Sequence, residues 1–357
     1  MFSFHDVLAD GVRSGASDIH IGAGTLPILR IDGKLVSRPG AQMVTSEDMD
    51  GIVHAMLTPE QMIELRRERE FDFSFNLRLN SDMDQRMRAN LSYSRGVPVL
   101  SIRIILPNIR TIKELGLPIE VKNVAAKNNG MFLVTGPTGS GKSTTLAAII
   151  QEINVTRQVH IVTIEDPIEY IFTSEVALIH QREVGKDTKT FAEALRRAMR
   201  QDPDVIMIGE LRDLETISAA VTAAETGHLV LATLHTSDAP QSIDRIIDVF
   251  PPHQQQQIRV QLSSILIGIL SQQLVPTASG SGRIIATELM IANNAVRNHI
   301  RESKTAQIRN TIQTNSASGM HLMEQDLARL CKEGVITRNS AISYANNIKD
   351  IEGFLVV

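Results

Sequence analysis

The chain has 357 residues, 43% of them hydrophobic and 21% charged. At roughly 150 residues per domain, that length suggests about two domains, each able to bury its own core. Lys+Arg 36 against Asp+Glu 40 gives a formal net charge of -4, which excludes nucleic-acid binding by bulk charge. A single cysteine, Cys331, excludes an intrachain disulfide framework and a Cys-rich zinc site, and it fits a reducing compartment. Met1-Phe2-Ser3-Phe4-His5-Asp6 lacks the basic start and apolar run of a signal peptide. The most apolar stretch, Ile265 to Leu270, falls far short of the ~18 residues a membrane span needs. A soluble, cytoplasmic, multi-domain protein is expected.

The first hundred residues predict a small α+β domain. Ser3 and Asp6 have capping-box spacing, and Phe4, Val7, Leu8 and Val12 follow at helical intervals. Ile19 and Ile21 alternate with polar neighbours, as on a half-buried strand. Leu29 to Val36, centred on Asp32-Gly33, has the signature of a hairpin with a tight type I′ turn. Thr58-Pro59-Glu60-Gln61 supplies the N-cap, N1 proline and N3 glutamine of a helix ending near Arg69. Phe71, Phe73, Phe75, Leu77 and Leu79 alternate at strand period, and further strands are predicted around Met87 to Tyr93 and Val97 to Ile105. The expected order is α-β-β-α-α-β-β-β, one sheet with helices packed on a face.

Between Leu106 and Pro118 the pattern weakens, with Pro107, Asn108, Gly116 and Pro118 as punctuation. The expected division is residues 1–110, a linker at 111–118 and a second domain at 119–357. Short apolar runs at Met131 to Thr135, Val159 to Ile164, Val205 to Ile208 and Leu229 to Leu234 then alternate with helical segments. Near-continuous hydrophobicity is expected of parallel strands covered on both faces, so the fold class is α/β. A long amphipathic helix is predicted after Pro252 and a strand at Arg283 to Ile291. From Asn293 onward the chain reads as mostly helical.

The strongest chemical signal is Gly136-Pro137-Thr138-Gly139-Ser140-Gly141-Lys142-Ser143-Thr144. It matches GxxxxGK(S/T) between a buried strand and a helix, where its mechanism requires it. Glycines let the loop turn its N–H groups inward, and the helix N-terminus adds partial positive charge toward a phosphate. ATP and Mg²⁺ are the implied ligands: Lys142 reaches the β- and γ-phosphates, and the Ser143 hydroxyl ligates the metal. Val205 to Glu210 supplies the acidic residue at a neighbouring strand end, with Gly209 where many such enzymes place a metal-coordinating aspartate. Glu210 is therefore the expected base that orients or deprotonates the attacking water. Glu165, at the end of the Val159 to Ile164 strand, is placed to complete the metal's water shell, whereas Asp166 before Pro167 reads equally as a turn residue.

His228 and His235 bracket the Leu229 to Leu234 strand, and neither has metal-ligand spacing. His235 stands near where a γ-phosphate would sit, so phosphate sensing and a plain structural role are level. Arg88, Arg95 and Arg103 lie on first-domain strands, and Arg196, Arg197 and Arg200 on a helix before Asp202. Such charges are usually solvated. The core pattern shows no well-placed arginine in cis, however, and ATPases closing a site between subunits use arginines in trans. Arg88, Arg95 and Arg103 are the arginines expected to do so.

The constellation resembles the secretion-superfamily ATPases, most closely the PilT-type retraction motors of type IV pilus systems, over nearly the whole chain. Ala16-Ser17-Asp18-Ile19-His20-Ile21 is similar to an N-terminal element of that family. Thr163 to Tyr170 resembles its Asp box, Arg200 to Asp213 its Walker B region, and Thr226 to Thr236 its His box. Ala295-Val296-Arg297-Asn298-His299-Ile300-Arg301-Glu302 resembles the AIRNLIRE element of the retraction subgroup, departing from it at Val296 and His299. The resemblance implies a PAS-like N-terminal domain, a RecA-like ATPase core with a mostly helical C-terminal region, and a ring-shaped homohexamer. It further implies a motor that retracts pili for twitching motility through an inner-membrane platform protein. Contact with pilin would be only indirect, and the ring would be cytoplasmic and peripheral to that membrane. Arg297 and Arg301 are then expected to couple hydrolysis to movement of the partner. A secretion or conjugation motor, or a regulatory nucleotide-binding partner of another pilus motor, are the alternatives. A DNA translocase is disfavoured by the acidic balance and by the absence of tryptophan for base stacking.

Overall fold

A computed structural model describes residues 2–31, 33–38, 40–80, 83–105 and 109–356, without the side chains of residues 79, 80, 83 and 84. Asp32 of the expected hairpin turn, Leu79 of the strand alternation and residues 106–108 of the expected linker therefore lie outside this description. The chain forms two compact units, one of Met1–Asn108 with Glu169–Ile171, the other of Ile109–Ile168 with Phe172–Val357.

In the first unit, α1 (Phe4–Arg13) is followed by β1 (Asp18–Gly22), β2 (Ile28–Ile31) and β3 (Lys34–Ser37). Next come α2 (Ser46–Met56), α3 (Pro59–Glu68), β4 (Glu70–Asn80), β5 (Met83–Ser94) and β6 (Val97–Ile104). Three strands precede the paired helices, one more than the predicted order holds. Ser3 caps α1 through the Asp6 N–H, and Thr58 with Gln61 closes a full capping box on α3 behind Pro59. The strands form one antiparallel sheet in the order β3-β2-β1-β6-β5-β4. Ile19 and Ile21, from alternate positions of β1, are buried with Leu8, Met49, Leu65, Met87, Leu91, Leu100 and Ile102.

The second unit opens with α4 (Glu120–Ala125), β7 (Gly130–Thr135), α5 (Lys142–Thr156), β8 (His160–Glu165) and β9 (Leu178–Glu183). It continues with α6 (Phe191–Ala198), β10 (Val205–Ile208), α7 (Leu214–Glu225), β11 (Leu229–Leu234), α8 (Ala239–Asp248) and α9 (Pro252–Ile265). β12 (Leu266–Pro276), β13 (Arg283–Ile291), α10 (Asn294–Arg301), α11 (Ile308–Thr314), α12 (Met323–Lys332), α13 (Arg338–Tyr344) and α14 (Ile348–Val356) complete it. The strand order is β13-β12-β7-β11-β10-β8-β9, with every neighbouring pair parallel except β12 with β13. β7, β10 and β11 are buried at every residue, which is why they read as unbroken apolar runs.

Two strands of this sheet escape the sequence pattern. β9, Leu178-Ile-His-Gln-Arg-Glu, is an edge strand with four of its six residues polar. β12 begins directly where α9 ends, so the apolar run Ile265 to Leu270 straddles a helix-to-strand junction with no turn residue to mark it.

Arg297 is not where the resemblance leads one to expect it. Its guanidinium donates to the carbonyls of Ser263, Ser264, Leu266 and Ala292, closing the C-terminal end of α9. Partial burial lowers its pKa, and the nearby Arg301 charge adds to that. Arg301 is exposed and its guanidinium donates to Asn298 Oδ1 at 2.7 Å, three residues earlier on the same helix. Arg297 is thus a structural clamp on orphan helix carbonyls, a role that charge-assisted bonds serve well. Arg297→Ala should cost about 2–3 kcal/mol of stability, whereas Arg301→Ala should stay within about 0.5 kcal/mol. Thermal unfolding of the two variants checks this, and equal melting temperatures would refute the clamp.

Candidate nucleotide site

The loop from Gly136 to Thr144 joins the buried end of β7 to the first turn of α5. Gly136 has φ +146°, and a Cβ there would stand 2.3 Å from the carbonyl oxygen of Gln272. Gly141 caps α5 at φ +88°. Both positions therefore need glycine, one for space and strain together, the other for a left-handed cap. Pro137, Thr138 and Gly139 are exposed at the tip, while Ser140 is buried and its hydroxyl has no partner.

Lys142 is only 9% exposed, and its ammonium lies back on the loop, donating to Gly136 O at 2.8 Å and Pro137 O at 3.0 Å. Carbonyls are weaker partners for an ammonium than an anion is, so a phosphate entering the loop would draw Lys142 toward it. Ser143 is exposed on the first turn of α5. Its hydroxyl and the Glu165 carboxylate are oxygen donors of the kind Mg²⁺ takes. These residues fit the ion.

β11 lies between β7 and β10, and β10 pairs in turn with β8, so four parallel strands end along one edge. The phosphate loop, His235, Glu210 and Glu165 are carried there. Gly209 N donates to Ile164 O at 2.8 Å and Thr233 Oγ1 to Gly209 O at 2.5 Å, fixing the turn that presents Glu210. Glu210, with 18% of its side chain exposed, places Oε1 3.2 Å from His235 Nε2 and Oε2 2.6 Å from Arg212 Nη2. Burial pushes its pKa up, but the Arg212 bond and the His235 and Arg212 charges outweigh this and leave it below the usual glutamate value. The neighbours of Glu210 favour its ionised form.

Arg212 corrects the expectation that the core lacks an arginine in cis. Its pKa is raised, first by the bond to Glu210 despite partial desolvation, with further help from the Glu210 and Asp166 charges. Glu165, 7% exposed, accepts from Thr163 Oγ1 at 2.7 Å and Gln181 Nε2 at 3.2 Å. Asp166 lies near enough to Arg212 to act on it as a charge, more than a turn residue does.

His228 does not join this constellation in the chain. It precedes β11, at the opposite end from His235, with about 20 Å of strand between them. Its Nδ1 lies 2.8 Å from Ala223 O and 3.2 Å from Thr226 Oγ1, the bonds of a structural histidine. On the first unit, Arg103 is held by Asp18 at 2.9 Å, Arg95 sits in the β5–β6 turn at φ +52°, and Arg88 is half-buried on β5. Arg196 and Arg197 on α6 pair with Glu215 and Glu193. Residues that the sequence reading missed are Arg212, two positions beyond the expected base, and Gln272 on the unrecognised β12. Arg212 lay inside the motif region quoted above and needed only its distance from Glu210; Gln272 had no local signal.

A model of the family described as "Type II/IV secretion system protein" matches residues 2–341. The chain is 43% identical to the type IV pilus retractation ATPase PilT of Pseudomonas aeruginosa, over 94% of this chain and 96% of that protein. It is 49% identical to a twitching motility protein of Neisseria gonorrhoeae, over 73% of this chain and 70% of that one. Among solved structures, the pilus retraction motor PilT with bound ADP matches with a TM-score of 0.90 at 43% identity, covering 99% of this chain and 100% of that chain.

Proposed function

The chain belongs to the type II/IV secretion system protein family, and from that premise we propose that it is an ATPase powering retraction of a type IV pilus. The observation that carries this reading is the single strand-end edge bearing a phosphate loop and an ionised glutamate paired to His235 and Arg212. The names and extents of the full-length relatives supply the direction of force.

In this reading the amides of Gly136 to Ser143 cradle the phosphates, and Lys142 leaves its loop carbonyls to neutralise the β- and γ-oxygens. Ser143 and Glu165 would hold Mg²⁺, which would supply Lewis-acid neutralisation of phosphate charge. Glu210 takes the proton of the attacking water, while His235 and Arg212 fix its two oxygens and reach the γ-phosphate edge. Glu165 orients water on the metal side. The first unit is read as PAS-like and the second as RecA-like, supported by the six-stranded antiparallel sheet of one and the mainly parallel sheet of the other. The working form is a homohexamer on the cytoplasmic side of the inner membrane, acting on pilin only through a platform protein. No helix among the described residues is long and apolar enough to cross a membrane. Arg88, Arg95 or Arg103 completes a neighbour's site in trans; Arg103 would first have to leave Asp18.

Deletion of the gene should leave cells with more surface pili and no twitching, counted by electron microscopy and on agar. A bald deletion strain would replace this reading with an assembly or secretion motor.

A further inference from the structure

Gln272 is an uncharged polar side chain with no solvent exposure, placed in mid-strand on β12. Its Nε2 donates to Ser140 O at 2.7 Å, and its Oε1 accepts from Thr145 Oγ1 at 2.8 Å. The orientation of the amide follows from these partners, because a carbonyl only accepts and the NH₂ must therefore face Ser140. The main chain of the same residue lies where any side chain at Gly136 would collide, and a Cβ added at Gly141 would stand 3.4 Å from its amide nitrogen. One residue thus meets the phosphate loop at its start, near its end and in the first turn of α5.

Two further bonds flank the loop at its β7 end. Gly136 N reaches Leu234 O at 3.3 Å, and the neighbouring Thr135 and Ser271 hydroxyls join β7 to β12 at 2.9 Å. Beyond these, Pro137 to Gly139 are exposed, and a Cβ at Gly139 would meet nothing within 4 Å. Anion binding by successive amides depends on their directions, so the bond to Ser140 sets where those amides aim. We propose that Gln272 is a positioning residue for nucleotide binding, holding the phosphate loop in its anion-receiving shape before nucleotide arrives. This rests on the loop being the Mg·ATP site, and it adds a dependence on β12 that the loop motif does not contain.

Gln272→Met keeps the length and removes both bonds; Gln272→Glu keeps the shape but carries a donor only when its carboxyl is protonated. Binding of Mg·ADP, steady-state kinetics and thermal melting are measured for both variants and for Thr145→Val. Gln272→Met should weaken Mg·ADP binding and raise KM about tenfold, with a smaller change in kcat, because the base at Glu210 is untouched. Gln272→Glu should bind Mg·ADP tightly at pH 6 and about tenfold more weakly at pH 9, a trend that wild type lacks, since the ionised carboxylate faces Ser140 O. Thr145→Val, losing one bond, should fall between wild type and Gln272→Met. Should Gln272→Met not fold, the comparison of Gln272→Glu at the two pH values and Thr145→Val still decide. Folded variants that bind Mg·ADP as wild type does, with no pH trend, overturn the proposal. A wild-type protein that binds no Mg·ADP would instead refute the nucleotide site itself, a separate failure.

Discussion

Lys142→Ala is expected to abolish ATP hydrolysis while the protein stays folded. The ammonium is the only charged donor on the loop, and removing one donor from a preorganised anion site costs on the order of 10²–10³ in rate. Here it also serves to bind, so turnover should fall below detection at ordinary ATP concentrations. The fold should survive because the ammonium donates to Gly136 O and Pro137 O within the loop itself. Gly136 N on Leu234 O and Gln272 on Ser140 continue to shape the loop. Phosphate release and circular dichroism check both halves, and near-normal ATPase activity would refute the phosphate-loop assignment. The same variant tests the proposed ring: excess Lys142→Ala subunits mixed with wild type should depress activity more than dilution does. A linear dilution curve from a monomer by light scattering would remove the oligomer from the proposed function.

The features legible in the sequence are those with local causes. Positive φ at Gly136 and Gly141 is written into the nine residues of the loop, directly after the buried strand β7. Thr58-Pro59-Glu60-Gln61 specifies its own cap. β7, β10 and β11 are covered on both faces and must be apolar throughout. What stayed hidden depends on partners distant in the chain. Arg297 looks like a free helix charge until its four carbonyl partners are seen. Ser271 and Gln272 interrupt the apolar pattern of β12 because they serve Thr135, Ser140 and Thr145, more than a hundred residues earlier. Glu288 is fully buried on β13, accepts from Ala239 N at the start of α8, and is pushed up to about 8 by burial. A strand-interior glutamate gives no sign of that neutral, helix-capping role. His228 misled in the opposite sense, since its closeness in sequence to β11 places it at the end that carries no phosphate loop.

Glu210→Gln is expected to bind Mg·ATP within a few-fold of wild type and to hydrolyse it 10²–10⁴ times more slowly, a range typical of losing a general base. The amide fills the same volume and keeps one oxygen to accept from Arg212 Nη2. The turn made by Gly209 and Thr233 is unaffected, so binding is spared. What the amide lacks is an ionised oxygen to take a proton from water. The depressed pKa of Glu210 adds a pH signature. A carboxyl whose pKa is lowered stays deprotonated as the pH falls, so wild-type kcat should persist through the ordinary glutamate range and decline only below it. Arg212→Ala removes the bond and part of the charge that hold the pKa down, so burial then dominates and the acid limb should move to higher pH. Rapid-mixing kinetics for Glu210→Gln, with pH profiles for wild type and Arg212→Ala, measure these effects. A collapse of Mg·ATP affinity in Glu210→Gln would make Glu210 a metal or structural residue. The catalytic role would then pass to Glu165, whose Oε1 is already engaged by Thr163 and Gln181.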